Sequence, residues 1–535
     1  MLSKLPHAKL LTLLSVLIVG LIISANYAHY QDFLSQGDHG RDLYAAQAVY
    51  RGELPYKDFW WVYGPLTPYY YGLFFKVFGA KISSMLLGKL TLIILGGLLL
   101  CLGLLEVCSP ITAFLGACWF MLFHQDFFFT YNHLAGIVMV LGVAYCLLSY
   151  IKRNSLKAAW GALAFIFTLC LIKVNFGLAA LAVSMITVAV CDGVRRAPNN
   201  DPKKLFYTVA CIGLPLVVFI IYYSLLHGLS AMEIRQCLPY KEGDQPYAIS
   251  PLTAIGNFAQ TILHSIFSNW VSFSFAMIIN VSALRCLYLF VSKKLENPRQ
   301  TILILSLGML GLFYAANFHE YLKSGVWYRA FWAQPLSMMI CFLLIDTALQ
   351  SVPKTLRKAT FLFIAVLAII CGFSVLGHVN ATKTESQYLG IPKGDDYLPN
   401  APSWIATVEE TTAFLDKTLK PSELFFALPY DCLYYFLTDK KTPTRQLIFF
   451  DHIKIPQEQE RSVIAELEKN HVNYVLLSNR AYARQELGLG FLGTSYCPLI
   501  GKYLQDNFSP IARFGDWANE PGWAWNHGTM ILKRK

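Results

Sequence analysis

Long apolar runs separated by short polar stretches fill the chain up to about residue 380. A helix crossing about 30 Å of hydrocarbon needs about 20 predominantly apolar residues. On that spacing the pattern predicts eleven spans, near residues 10–30, 83–105, 109–125, 133–151, 157–173, 176–194, 205–227, 263–284, 300–318, 328–350 and 359–379. The first run follows Lys4, His7 and Lys9 as the apolar part of a signal peptide does, but no A-x-A cleavage site ends it. Many apolar runs follow, so it reads as a retained first span.

Beyond Asn380 the long runs stop and short segments of two periods alternate. Trp404–Leu419 shows helical spacing through Ile405, Val408, Thr412 and Leu415, and Pro456–Asn470 is an amphipathic helix with Val463, Ile464 and Leu467 on one face. Leu499–Phe508 reads as a third helix. Leu424–Leu428, Val472–Leu477, Ile511–Phe514 and Gly528–Leu532 read as strands. Strands alternating with helices imply a small α/β layer domain. The expected fold class is a polytopic α-helical membrane protein of about 11 transmembrane helices, residues 1–379, with a C-terminal extracytoplasmic α/β domain, residues 380–535. No G-x-G-x-x-G or P-loop follows a strand, so nothing here asks for a nucleotide.

Composition sharpens this reading. Of 535 residues, 55% are hydrophobic and 14% charged, against about 25% charged in soluble domains, which excludes an ordinary soluble enzyme and a disordered chain alike. The net charge of +11 raises the question of nucleic acid, but the cations fall on alternate loops. Lys152, Arg153 and Lys157, then Arg195, Arg196, Lys203 and Lys204, then Lys293, Lys294 and Arg299, then Lys354, Arg357 and Lys358 share the side of the N-terminus. By the positive-inside bias that side is cytoplasmic. The expectation is a multi-pass protein of the inner (plasma) membrane, with loops 31–82, 228–262 and 319–327 and the C-terminal domain periplasmic or extracellular, and no nucleic-acid partner. Most of the thirteen cysteines lie in apolar runs, and no Cys/His spacing suggests a metal. Cys432 and Cys497, in polar stretches, are a candidate disulfide pair.

Loop 31–82 is the richest in chemistry-bearing residues. Asp38, His39, Arg41, Asp42 and Tyr44 come first, Ala45–Tyr50 reads as a short helix, and Asp58, Trp60, Trp61 and Tyr63 lead to a Gly64-Pro65 turn. Two readings stand side by side: a polar site roofed by interfacial aromatics, or an Asp38 that caps the short helix or meets Arg41 beneath an aromatic belt.

Asp38-x-Gly40-x-x-x-Tyr44-x-Ala46, Gly52-Glu-x-Pro55-Tyr56-x-Asp58-Phe, Tyr63-Gly64-Pro65-Leu and Phe78-Gly79 resemble the first outer loop of bacterial GT-C membrane glycosyltransferases. These are relatives of the dolichyl-phosphate-mannose protein mannosyltransferases and of the aminoarabinose transferase acting on lipid A. The resemblance extends to Leu171-Ile-Lys173-Val-Asn175-Phe-Gly177, similar to a Thr-Lys-x-x-x-Gly element of the group, and to Tyr328-Arg329-Ala-Phe-Trp-Ala-Gln-Pro335 opening a span. It also covers Leu433-Tyr434-Tyr435-Phe436-Leu437-Thr438-Asp439 with Pro443-Thr444-Arg445. The family often has Glu after its first Asp, where this sequence has His39.

The resemblance implies inverting transfer of a sugar from a polyprenyl-phosphate donor to a lipid, glycan or protein acceptor on the non-cytoplasmic side. Such a reaction needs a carboxylate to take the acceptor's proton and cations to receive the departing phosphate. Asp38 matches the family's catalytic position as general base. Asp42 and, by the same resemblance, Asp126 are further catalytic candidates, with a salt bridge or a helix N-terminal charge as the other reading of Asp42. Cations beside spans are costly in hydrocarbon and point to a ligand or an internal partner, so Lys173, Arg329 and Arg41 are candidate donor-phosphate contacts. For Lys173 the other reading is snorkelling, and for Arg329 a salt bridge to Glu320. His39, Tyr44, Asp58, Trp60, Trp61 and Tyr63 are substrate-pocket candidates, with Asp58 read mainly as a hydrogen-bonded loop anchor. His124, Asp126 and His133 match no metal-ligand spacing and read as loop polarity. No cofactor is called for. A polysaccharide polymerase or ligase and a lipid-linked sugar flippase are the competing classes; the first would carry its key residues in a later loop, the second would show inverted repeats.

Overall fold

The computed structural model describes residues 5–27, 37–126, 131–195, 250–268, 298–353, 386–394, 396–399, 402–450, 455–482, 490–519, 521 and 528–535, with scattered positions within 213–221, 277–288 and 355–366. The spans expected near 205–227 and 359–379, and most of the one near 263–284, lie outside the described residues.

The chain opens with α1 (Leu5–Tyr27), α2 (Asp38–Tyr50), α3 (Leu66–Phe78), α4 (Ile82–Val107), α5 (Pro110–Phe123), α6 (Tyr131–Arg153), α7 (Leu156–Ile172) and α8 (Val174–Arg195). After α9 (Pro251–Ser268) come α10 (Pro298–Asn317), the short α11 (His319–Ser324), a 3-10 turn at Trp327–Trp332 and α12 (Gln334–Ser351). Among the described residues five helices are long and apolar enough to cross a membrane: His7–Ala25, Ile82–Val107, Asn132–Arg153, Val174–Val194 and Pro298–Leu322. Three shorter apolar helices, Pro110–Phe123, Leu156–Ile172 and Gln334–Gln350, pack among them.

Small residues let these helices approach closely. A Cβ at Gly96 or Gly97 of α4 would stand 2.6 Å from the Phe120 ring or 2.7 Å from Met121, both on α5. At one end of the bundle Lys9, Lys152 and Arg153 gather on the buried Glu106 carboxylate. Asp38, Lys173 and Glu320 lie at the other end.

Two boundaries differ from the pattern. The span expected to open at Tyr328 opens at Gln334, because Pro335 is tolerated in the first turn of a helix but not in its interior. The helix expected at Ala45–Tyr50 begins at Asp38, and a further helix, α3, stands in the same loop, where the sequence pattern predicts none.

The C-terminal part carries the hairpin β1 (Ser386–Leu389) and β2 (Asp396–Pro399), then α13 (Pro402–Thr418), β3 (Phe425–Leu428), α14 (Leu433–Leu437), α15 (Gln457–Lys469), β4 (Tyr474–Ser478), α16 (Pro498–Asn507), β5 (Phe508–Phe514) and β6 (Thr529–Arg534). The sheet order is β3-β4-β6-β5, with β3 and β4 parallel and the other pairs antiparallel. Successive strand residues face opposite ways, and here each face meets its own core. Phe425, Ala427, Tyr474 and Leu476 join the cluster that continues into the membrane helices, whereas Phe426, Leu428, Val475 and Leu477 pack with Val463, Leu467, Ile500 and Leu504 of α15 and α16. Cover on both faces explains why β3 and β4 read as unbroken apolar runs. Cys432 and Cys497 are separate, buried free thiols.

The C-terminal layer sits directly on α2. A Cβ at Gly40 would lie 2.6 Å from the Leu433 backbone nitrogen, so only glycine admits α14 this close. Trp60 N donates to Arg445 O at 2.8 Å, Thr442 N to the Tyr44 hydroxyl at 3.0 Å, and Gln47 Nε2 to Asp439 Oδ1 at 3.0 Å. The α2–α3 segment and the layer thus share one apolar core, and whatever α2 presents is shaped by both.

Candidate active site

Arg41 organises the first turn of α2. Its guanidinium, 3% exposed, donates from Nε and Nη2 to Asp42 Oδ1 (3.0 and 2.8 Å), and from Nη1 to Asp38 Oδ1 (3.2 Å) and the Tyr430 hydroxyl (2.9 Å). The Tyr430 hydroxyl in turn donates to Asp38 Oδ1. Arg41 also stands 5.5 Å from the Trp61 ring centroid and 5.2 Å from that of Tyr63, within cation–π range. Burial disfavours its charge, but Tyr430, Asp42 and Asp38 outweigh that and hold it protonated.

The two carboxylates of this turn differ in kind. Asp42 is 3% exposed and its Oδ2 has no partner among the described residues; burial pushes its carboxyl up from the ordinary value against the pull of Arg41. The Asp38 side chain is 34% exposed. Both of its hydrogen bonds fall on Oδ1, so among the described residues Oδ2 is uncommitted. An exposed carboxylate with one oxygen fixed and the other open can accept a proton from a neighbour.

A second group of charges is set by the α7–α8 junction. Lys173 alone separates these helices, with φ −149° and ψ 96°. The C-terminal carbonyl of Ile172 accepts from Gly64 N (2.9 Å) and Asn132 Nδ2 (3.0 Å), which ties the Gly64-Pro65 turn and α6 to the break. A Cβ at Gly64 would lie 2.1 Å from Leu171 O, so the turn requires glycine.

Lys173 Nζ then reaches Glu320 Oε1 at 2.7 Å and His133 Nδ1 at 3.0 Å, and lies 4.2 Å from the Phe176 ring centroid. Asn175 Nδ2 donates to the same Glu320 oxygen at 2.6 Å. Arg329 lies within electrostatic range of both Lys173 and His133, and Arg41 within range of His133. The His133 ring bridges the two groups, edge-on to Tyr63 at 5.5 Å and stacked on Trp332 at 4.3 Å. Arg41, Lys173 and Arg329, distant in sequence, therefore come within electrostatic range of one histidine, whose ring touches Tyr63 as the Arg41 guanidinium does.

The remaining candidates make contacts of their own. Asp58 Oδ2 accepts from Leu54 N at 2.7 Å and anchors its own turn. Tyr44 is buried between Phe59 and Tyr435, at 6.2 and 5.6 Å, in the joint between α2 and the C-terminal layer. Trp60 and His39 are buried, and Trp61 Nε1 donates to Gly64 O at 3.0 Å. The backbone of Asp126 closes the 3-10 turn His124–Asp126, and its side chain lies outside the described residues. His124, read as loop polarity, is buried and stacked on Phe120 at 4.0 Å, and His133 stands in the first turn of α6. Among the described residues no three His, Cys, Asp or Glu side chains gather as metal ligands. Sequence reasoning missed Tyr430, for which no local signal exists, and the tie of Glu320 to Lys173.

An apolar groove of about 550 Å³ runs between α8 and α10, lined by Ile186, Thr187, Val190, Leu305, Met309 and Leu312 among others. These two helices carry Lys173 and Glu320 just beyond their ends.

No family model and no curated protein sequence matches the chain. Solved structures do. The chain is similar to ArnT from Cupriavidus metallidurans in the apo state, with TM-score 0.55, 13% identity and 97% of each chain covered. It is similar to the same protein bound to undecaprenyl phosphate, with TM-score 0.53, 13% identity and 98% of this chain and 97% of that one covered. It is also similar to the archaeal oligosaccharyltransferase AglB from Archaeoglobus fulgidus in complex with an inhibitory peptide and a dolichol-phosphate, with TM-score 0.50, 13% identity and 89% of this chain and 70% of that one covered. The chain shares its fold with these ArnT and AglB structures.

Proposed function

We propose that the protein transfers a single sugar from a polyprenyl-phosphate donor to a lipid, glycan or protein acceptor at the non-cytoplasmic face of the plasma membrane, with inversion at the anomeric carbon. Asp38 is the general base. The observation that carries this reading is the Asp38 carboxylate, with Oδ1 bound by Arg41 and Tyr430 and Oδ2 uncommitted among the described residues, together with the Arg41, Lys173 and Arg329 cations in range of His133. The likeness to an ArnT structure bound to undecaprenyl phosphate supports the donor class.

In this reading Asp38 Oδ2 takes the proton of an acceptor hydroxyl as that oxygen bonds to the anomeric carbon. The bond from that carbon to the phosphate oxygen breaks, and its electron pair leaves with the polyprenyl phosphate. Lys173, Arg329 and Arg41 stabilise the charge that develops there, the role of fixed cations in a site of low dielectric. The α8–α10 groove receives part of the prenyl chain, because such a chain is stabilised by leaving water at about 25 cal/mol per Å². Orientation follows the positive-inside bias: the Lys9–Glu106–Lys152–Arg153 end is cytoplasmic, Asp38 is at the outer surface, and residues 380–535 form an extracytoplasmic α/β domain after eleven spans.

The test is to incubate membranes carrying the protein with a panel of undecaprenyl-phosphate monosaccharides and follow which is consumed. Consumption of one sugar with release of undecaprenyl phosphate is expected. Consumption of none, with folded protein in the membrane, would overturn the reading.

A further inference from the structure

Among the described residues, a side chain of the C-terminal layer is hydrogen-bonded to Asp38 from outside its own helix. Tyr430 is 1% exposed, and its hydroxyl both accepts from Arg41 Nη1 at 2.9 Å and donates to Asp38 Oδ1. Its backbone is fixed from behind: Arg480, 0% exposed, donates from Nη2 to Tyr430 O and, at 2.8 Å, to Asp431 Oδ1, while Ser478 Oγ donates to Asp431 Oδ2 at 2.7 Å. In front, a Cβ at Gly37 would lie 2.8 Å from the Tyr430 ring, so the ring abuts the backbone where α2 starts. A buried ion pair on the sheet side and a glycine on the helix side thus hold one phenol against one carboxylate oxygen.

We propose that Tyr430 is a positioning residue for Asp38: the C-terminal layer completes the outer site by occupying Oδ1, which fixes the carboxylate plane and leaves Oδ2 for the acceptor. The proposal rests on the reading of Asp38 as the base. The bond is charge-assisted, and a hydroxyl binds a carboxylate oxygen more strongly than a neutral one. The groups facing Asp38 are Arg41, Asp42 and His39 from α2 and Tyr430 from the layer, with Asp431, Cys432 and Arg480 behind the phenol. Burial and the Asp38 charge push the Tyr430 phenol well above its ordinary range, against the pull of Arg41, so it remains a donor throughout the range in which carboxylates titrate.

The experiment measures carbodiimide labelling of Asp38 against pH by peptide mass spectrometry, in full-length protein in detergent, for wild type, Tyr430→Phe and a variant carrying 3,5-difluorotyrosine at 430. Carbodiimides modify the protonated carboxyl, so the labelling midpoint reports its titration without any substrate. Tyr430→Phe keeps the ring and removes the donor, and the midpoint is expected to rise by about one pH unit, the scale of one hydrogen bond to a charged group. Difluorotyrosine, a stronger donor, is expected to lower it, which keeps the proposal testable if the Phe variant misfolds. Sugar consumption is followed in parallel, with kcat expected to fall at least tenfold in Tyr430→Phe and donor KM to stay within about twofold. Unmoved midpoints in both variants, or unchanged kcat in a folded Phe variant, would overturn the proposal. Asp38→Asn in the same assay separates the two readings: transfer retained there defeats Asp38 as base, whereas transfer lost there but intact in Tyr430→Phe defeats only the positioning role.

Discussion

The Tyr430 hydroxyl donates to Asp38 Oδ1 across 392 residues of sequence. This bond joins α2 to the C-terminal layer at the point where the first motif of the chain begins. Arg41 bonds both of its partners, so both hydrogen bonds of Asp38 fall on Oδ1, and Oδ2 carries none among the described residues.

Arg41 and Asp42 form a buried pair at 2.8 Å, with side chains 3% and 2% exposed. Replacing Arg41 with Met strands the Asp42 charge and is expected to destabilise the protein by about 3–5 kcal/mol, the usual cost of breaking a buried pair. Arg41→Met/Asp42→Leu, which removes both charges, is expected to recover most of that. Thermal unfolding in detergent measures both, and a double variant no more stable than the single one would contradict the pairing.

Gly64 meets Leu171 O where a Cβ would stand 2.1 Å away. Gly64→Ala forces the turn off the α7–α8 junction and is expected to cost about 1–3 kcal/mol or more. Loss of donor binding should follow, because the junction sets Lys173. A Gly64→Ala protein with wild-type melting temperature would show that the turn does not bear on the break.

Asp439 accepts from Lys393, Gln47 and Arg51 and clamps the end of α2 to the C-terminal layer. Burial raises its carboxyl, but Lys393 and Arg51 outweigh that and hold it below its ordinary value of 3.8. The unfolded chain therefore takes the proton first as pH falls, so the stabilisation is full above 3.8 and is lost as pH drops through the lower folded value. Asp439→Asn is expected to flatten this acid limb. Unfolding midpoints measured from pH 5 downward in both proteins check it, and identical acid limbs would count against the clamp.

Lys173 is paired with Glu320 at 2.7 Å. Lys173→Met removes the cation and is expected to weaken undecaprenyl phosphate binding at least tenfold, the scale of one hydrogen bond to a charged group. Glu320→Gln keeps the cation and is expected to bind at least as tightly as wild type. Binding isotherms in detergent measure both, and equal affinity in Lys173→Met would remove Lys173 from the phosphate site.

How much of this the sequence discloses depends on the range of the force involved. Spans such as Ile82–Val107 are legible because lipid imposes a length and a composition on each helix by itself. Lys173 is legible for the same reason, since a cation between two apolar runs is costly without a partner. The start of α2 at Asp38 is not legible: its polar first turn is buried by Tyr430 and Leu433, which arrive from the far end of the chain. Nor does the bridging place of His133 follow from its neighbours in sequence, because the Tyr63 and Trp332 rings that hold it come from two other segments. Local pattern tells which residues leave water, and side-chain convergence across segments decides the site.

The central claim is that Asp38 is the base, and Asp38→Asn tests it most directly, because the amide keeps the shape and hydrogen-bonding reach of the carboxylate but cannot take the proton. With the sugar donor selected from the undecaprenyl-phosphate panel, transfer by purified Asp38→Asn is expected to fall by about 10²–10⁴, with melting temperature and undecaprenyl phosphate affinity close to wild type. Transfer by that variant within a few-fold of wild type would contradict the account.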